Sequence, residues 1–137
     1  MNEEIFKIKK DGVRAEDLFL RAKDRFEFIP FYPREKVYKI IEESYESIKE
    51  LLTALMYFEG YKTLSHIKLI EFVQEKFSIF SDSEFKLIDD LRKFRNGTMY
   101  YGEKISSDFL DNHFEKIDVL IKKLIKFVEE KVLGTKY

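Results

Sequence analysis

The sequence predicts an all-α protein, an up-and-down antiparallel helical bundle of about five helices. Three observations carry this expectation. Apolar residues recur at steps of three and four over most of the chain, and no stretch shows the period of two that a strand would need. Proline and glycine punctuate those periodic stretches, which is how helices are started and stopped. The intervening links are short, as between antiparallel neighbours in a bundle. At 137 residues the chain reads as one domain (1–137), large enough to bury a proper core.

Taken in order, residues 1–12 show no clean period and end in the turn signal Asp11-Gly12, so they read as an N-terminal tail or arm. From Arg14 the stripe Leu18, Phe19, Ala22, Phe26 and Ile29 predicts a first helix, stopped by Pro30 and Pro33. Pro33 suits the first turn of the second helix. That helix is the longest pattern, running through Val37, Ile40, Ile41, Ser44, Ile48, Leu51, Leu52, Leu55 and Phe58 to a C-cap at Gly60. Thr63 or Ser65 can cap a third helix carrying Ile67, Ile70, Phe72, Val73 and Phe77. Ser81-Asp82-Ser83-Glu84 fits a capping box and opens a fourth. The fourth helix either stops at Asn96-Gly97 or bends and continues to Tyr101 before Gly102. Ser106-Ser107-Asp108 caps a fifth helix that ends at Gly134. The second and fifth helices are apolar over more than one face. That excess is expected to meet a further surface, most simply a second copy in a homodimer.

Composition narrows the function. Hydrophobic residues make up 45% and charged residues 37%, a folded and heavily charged chain. With 25 basic against 26 acidic residues the net charge is −1, so no global field draws nucleic acid and any RNA contact needs a local patch. There is no cysteine, which excludes disulfides, thiolate metal sites and a cysteine nucleophile. Neither His66 nor His113 is preceded by a carboxylate at the spacing of a di-iron bundle. No glycine-rich phosphate loop or dinucleotide fingerprint appears. No metal and no cofactor is therefore expected. The acidic start lacks an apolar signal core, and the longest apolar run, Leu51 to Phe58, is far too short to cross a bilayer. The expectation is a cytoplasmic protein with no membrane contact.

One residue breaks the pattern. On the fourth helix Leu87, Ile88, Leu91 and Phe94 form an apolar arc, and Arg95 falls in the middle of it. A guanidinium keeps its charge, so Arg95 must find an acceptor, a crevice or a partner chain. The plain alternative is an arginine that snorkels, or that pairs with a carboxylate of a neighbouring helix. His66 reads as a helix-start residue bonded locally. His113 lies on the flank of the last helix, and the 14 Phe and 8 Tyr read mostly as core.

Three segments together resemble the HEPN domain family, especially its small stand-alone archaeal members. They are Leu55-Met56-Tyr57-Phe58-Glu59-Gly60-Tyr61-Lys62-Thr63, then Leu64-Ser65-His66-Ile67-Lys68-Leu69-Ile70, then Ile88-Asp89-Asp90-Leu91-Arg92-Lys93-Phe94-Arg95-Asn96 with Tyr100-Tyr101-Gly102. The likeness spans about residues 35–130. It implies a dimerising helical bundle. It further implies a metal-independent endoribonuclease motif of Arg, a polar residue, and His after four to six intervening residues. Arg95 and Asn96 match the first half. At the histidine positions stand Tyr100, Tyr101 and Gly102. A tyrosine with its ordinary pKa near 10 is a poor replacement for a group that moves protons near neutrality.

The expectation is thus a HEPN-like homodimeric module that binds RNA, a nucleotide or a partner protein and has a degenerate ribonuclease motif. Arg92, Lys93 and Arg95 are the candidates for phosphate contact, and Tyr101 is a candidate for stacking or the dimer seam. An enzymatic alternative is an endoribonuclease toxin with Arg95, Asn96 and Tyr100 as catalytic candidates and a nucleotidyltransferase antitoxin as partner. A third reading is a structural adaptor dimer tied by Arg95.

Overall fold

The computed structural model of the chain describes residues 4–101 and 107–134, those at 98–101 as backbone only. It is an all-α bundle: α1 (Gly12–Phe28), α2 (Val37–Glu59), α3 (His66–Phe77), α4 (Asp82–Tyr101) and α5 (Ser107–Val132). A 3-10 turn, Ile29–Phe31, follows α1, and two three-residue strands, β1 (Ile5–Lys7) and β2 (Tyr61–Thr63), complete the described elements. Among the described residues no helix is long and apolar enough to cross a membrane.

The bundle is arranged around α2, which packs against α1, α3, α4 and α5. Its surplus apolar width, expected from the sequence to seek a second copy, is consumed inside the chain. Ile41, Tyr45, Ile48, Leu51, Leu52 and Leu55 are all buried against these neighbours. The flanks of α5 are covered in the same way. Phe127 meets the Phe77 ring of α3 edge-on at 5.5 Å, and Phe109 meets the Phe94 ring of α4 at 4.2 Å. Helix breadth therefore gives no argument for a dimer.

The expected tail or arm over residues 1–12 is tied down from Ile5 onward. β1 pairs antiparallel with β2, placing Ile5 opposite Thr63 and Lys7 opposite Tyr61. The pairing continues with Ile8 N–H donating to Gly60 O at 2.9 Å and Asp11 N–H donating to Tyr57 O at 3.0 Å. Three-residue strands are too short to show alternation, so the sequence pattern could not reveal them. Asp11, read as a turn residue, is the N-cap of α1 and accepts from Arg14 N–H at 3.0 Å.

One boundary differs from expectation, and one is decided between the two alternatives the sequence left open. α2 starts at Val37, four residues after Pro33, because Arg34, Glu35 and Lys36 have no apolar side chain to bury and close a turn on the Pro33 carbonyl. α4 does not stop at Asn96-Gly97 but continues to Tyr101. Its start is the expected capping box: Ser81 N–H donates to Glu84 Oε1 at 2.9 Å and Glu84 N–H to Ser81 Oγ at 3.2 Å. Ser65 is the cap of α3, accepting from Lys68 N–H at 3.1 Å.

Gly60 holds the junction of α2 and the ribbon. Its φ is +88°, and a Cβ there would lie 3.0 Å from Ile8 O, a backbone atom of the paired segment. Both the left-handed conformation and the close approach require glycine. Gly60→Ala is expected to lower stability by about 1–2 kcal/mol, seen as an earlier urea midpoint at unchanged slope.

Candidate functional site

Arg95 sits where the apolar stripe of α4 puts it, facing α2 and only 7% exposed. Its Nη2 donates to Glu46 Oε1 of α2 at 2.6 Å, and its Nη1 donates to Asn96 Oδ1 at 3.4 Å. The guanidinium carbon lies 5.7 Å from the centre of the Tyr45 ring. Pairing with a carboxylate of a neighbouring helix is thus what Arg95 does within one chain.

The surroundings gather charge. Glu46 also holds Lys49, one turn further along α2, at 3.5 Å. On α4, Asp89 accepts from Arg92 at 2.9 Å and from Lys93 at 3.0 Å. Two carboxylates are therefore each shared by two cations. Partial burial pushes the Asp89 carboxyl up, but the hydrogen bonds from Arg92 and Lys93 outweigh it and hold that carboxyl below its ordinary range.

The first residue of α3 completes the group. The Tyr45 hydroxyl lies 3.2 Å from His66 Nδ1, with the ring centres 5.8 Å apart. His66 had been expected to bond locally; its partner is instead on another helix. The reason is geometric: the cap at Ser65 uses its own side chain and leaves the imidazole free to reach α2. Burial pushes the Tyr45 phenol up to about 12, against the opposing pull of Arg92 and Arg95, so it stays protonated. Partial burial lowers the His66 imidazole, and Lys49 and Arg95 lower it further while Glu46 opposes them. His66 is consequently neutral at neutral pH.

Of the sequence candidates, Arg92, Lys93, Arg95 and Asn96 share one end of α4, with Arg95 buried and Lys93 exposed. Tyr100 and Tyr101 belong to the last turn of α4, and their side chains lie outside the described residues. Tyr45, Glu46, Lys49 and His66 were not singled out as site residues. No local motif marks Tyr45, Glu46 or Lys49, because only the packing of α2 against α3 and α4 brings them to His66 and Arg95. His113 stays local, its Nδ1 2.9 Å from Phe109 O and its ring stacked on Phe109. It opens on a separate cleft of about 570 Å³ lined by Leu87, Asp90 and Lys116 among others, with no residue of the Arg95 centre. Among the described residues no group of three metal-ligating side chains comes together.

Compared with known proteins, the chain matches no family model and no curated sequence.

Proposed function

We propose that this chain is a HEPN-like helical module whose α2–α3–α4 centre binds single-stranded RNA through its phosphates. One observation carries the reading: among the described residues Glu46 gathers Lys49 and Arg95 while Asp89 gathers Arg92 and Lys93, a local cationic group in a protein whose net charge is −1. Such a local cationic group is what phosphate contact requires when the global field gives none. Arg95, fixed by Glu46, forms the positive floor, while the more exposed Lys49 and Lys93 and the half-buried Arg92 can reach phosphate oxygens. In this reading two copies associate over the same face, where Leu64 and Ile67 beside His66 are 82% and 43% exposed and supply apolar surface.

Cleavage of the bound RNA without a metal is a second reading. It is favoured by the neutral His66 imidazole in the field of Arg95, a proton acceptor near a charge stabiliser.

The test is retention of labelled single-stranded RNA over a salt series in EDTA. Wild type is expected to bind with log K falling linearly in log salt. Arg92→Ala and Lys93→Ala should each weaken binding and flatten that slope by about 0.7. Intact RNA after incubation separates binding from cleavage. No retention at low salt would leave the adaptor reading in place of this one.

A further inference from the structure

The polar cluster at the start of α3 carries one more consequence. We propose that His66 is a ligand-facing residue of this centre and takes up a proton when an RNA phosphodiester binds, so that RNA and proton bind together. The inference rests on the RNA-binding reading above and adds a coupling that the reading does not require.

The geometry supports it in three ways. First, His66 is anchored at one nitrogen alone. Nδ1 meets the Tyr45 hydroxyl at 3.2 Å, whereas Nε2 makes no hydrogen bond to any described residue. The residue is half-buried at the first position of α3, and its one side-chain hydrogen bond among the described residues holds the ring to α2. Second, the anchor tolerates both protonation states. A hydroxyl can donate to the neutral ring or accept from the imidazolium, so protonation need not break the bond. Third, the charges around His66 are predominantly positive. α2 presents Lys49 and Glu46, and α4 presents Arg92 and Arg95. On α3 itself Lys68 is paired with Glu71 at 3.7 Å, and Lys62 of β2 is exposed.

The sign follows from electrostatics. In the free protein the neighbouring cations and partial burial disfavour the imidazolium. A phosphodiester placed among Lys49, Arg92 and Arg95 brings negative charge and cancels part of that field. The bound state then favours the imidazolium more than the free state does, and by linkage acid favours binding. Affinity is level well above the bound-state pKa, rises as pH falls between the bound-state and free-state values, and is level again below the latter. The phosphodiester does not itself titrate in this window, so the coupling belongs to the protein.

Only two histidines are present, which makes the coupling directly readable. The ring signals of His66 and His113 are followed by NMR over pH, without and with a saturating single-stranded RNA twelve-mer, and His113→Gln assigns them. The expected result is a rise of about one pH unit in the His66 midpoint on RNA binding, matched by a roughly tenfold tighter complex at the acid end. His66→Gln should lose the acid enhancement, its ratio of affinity at about pH 5 to that at about pH 8 falling below that of wild type whatever its affinity at about pH 8. RNA that binds while the His66 midpoint stays still or falls would overturn the inference and leave the RNA-binding reading standing. RNA that fails to bind at any pH would overturn that reading, and the inference with it. The midpoint shift is read on the native sequence at position 66, so it does not depend on the folding of His66→Gln.

Discussion

Arg25→Ala is expected to lose about 3–5 kcal/mol of stability. Arg25 of α1 reaches across to α2 and bonds two carboxylates at once. Its Nε donates to Glu50 Oε1 at 2.9 Å, and its Nη1 donates to Glu43 Oε1 and Oε2 at 3.0 and 3.2 Å. Glu43 and Glu50 lie two turns apart on one face of α2 and are only 8% and 7% exposed. Removing the guanidinium leaves two carboxylates in a poorly solvated seam. Lys39 at 3.7 Å from Glu43 and Arg21 at 3.7 Å from Glu50 are exposed enough to compensate only in part. Urea unfolding monitored by circular dichroism checks the magnitude. Arg25→Lys should recover only a fraction, because one ammonium cannot replace a fork that grips both acids. A loss below about 1 kcal/mol for Arg25→Ala would mean the pairs behave as ordinary surface salt bridges.

Arg95→Ala is expected to cost about 3 kcal/mol, for a related reason and with a different diagnostic. The residue ties α4 to α2 through Glu46 at 2.6 Å and lies over the Tyr45 ring. Truncation strands Glu46, although Lys49 remains 3.5 Å from it and softens the loss. Adding Glu46→Gln to Arg95→Ala should return part of the stability, since the stranded charge is then gone. Equal losses in the single and double variants would show that the lost packing on Tyr45, not the uncompensated carboxylate, dominates. Because Arg95 also belongs to the proposed RNA centre, stability and RNA retention must be measured separately on the same protein.

These two arginines show what the sequence could and could not reveal. The stripe of α4 exposed Arg95 as an anomaly, since a charge centred on an apolar arc is visible from spacing alone. Arg25 was not visible. It stands at the edge of the apolar stripe of α1, and its partners Glu43 and Glu50 look like routine charges beside Ser44 and Leu51 until α1 is laid against α2. The bundle itself was legible, because helices, the Gly60 stop, the Ser65 cap and the Ser81–Glu84 box are all local signals. The ribbon of β1 and β2 depends on pairing across more than fifty residues and leaves no periodic trace. The centre followed the same division. Arg92, Lys93, Arg95 and Asn96 are neighbours in sequence and were found together. Glu46 and Tyr45 join them only through helix packing, and His66 only because the start of α3 is turned toward α2. The apolar breadth of α2 misled for the same reason: the pattern shows how much surface must be covered but not that α1, α3, α4 and α5 cover it within the chain.

The most direct measurement is an NMR titration of the uniformly labelled protein with a single-stranded RNA twelve-mer, read at backbone amides, arginine side chains and the two histidines. The expected result is saturable shifts confined to Tyr45, Glu46, Lys49, His66, Arg92, Lys93 and Arg95, weakening as salt is raised. Shifts centred instead on Leu87, Asp90, His113 and Lys116 would place the ligand in the cleft between α4 and α5. Either that outcome or the absence of saturable shifts would contradict RNA binding at the Arg95 centre.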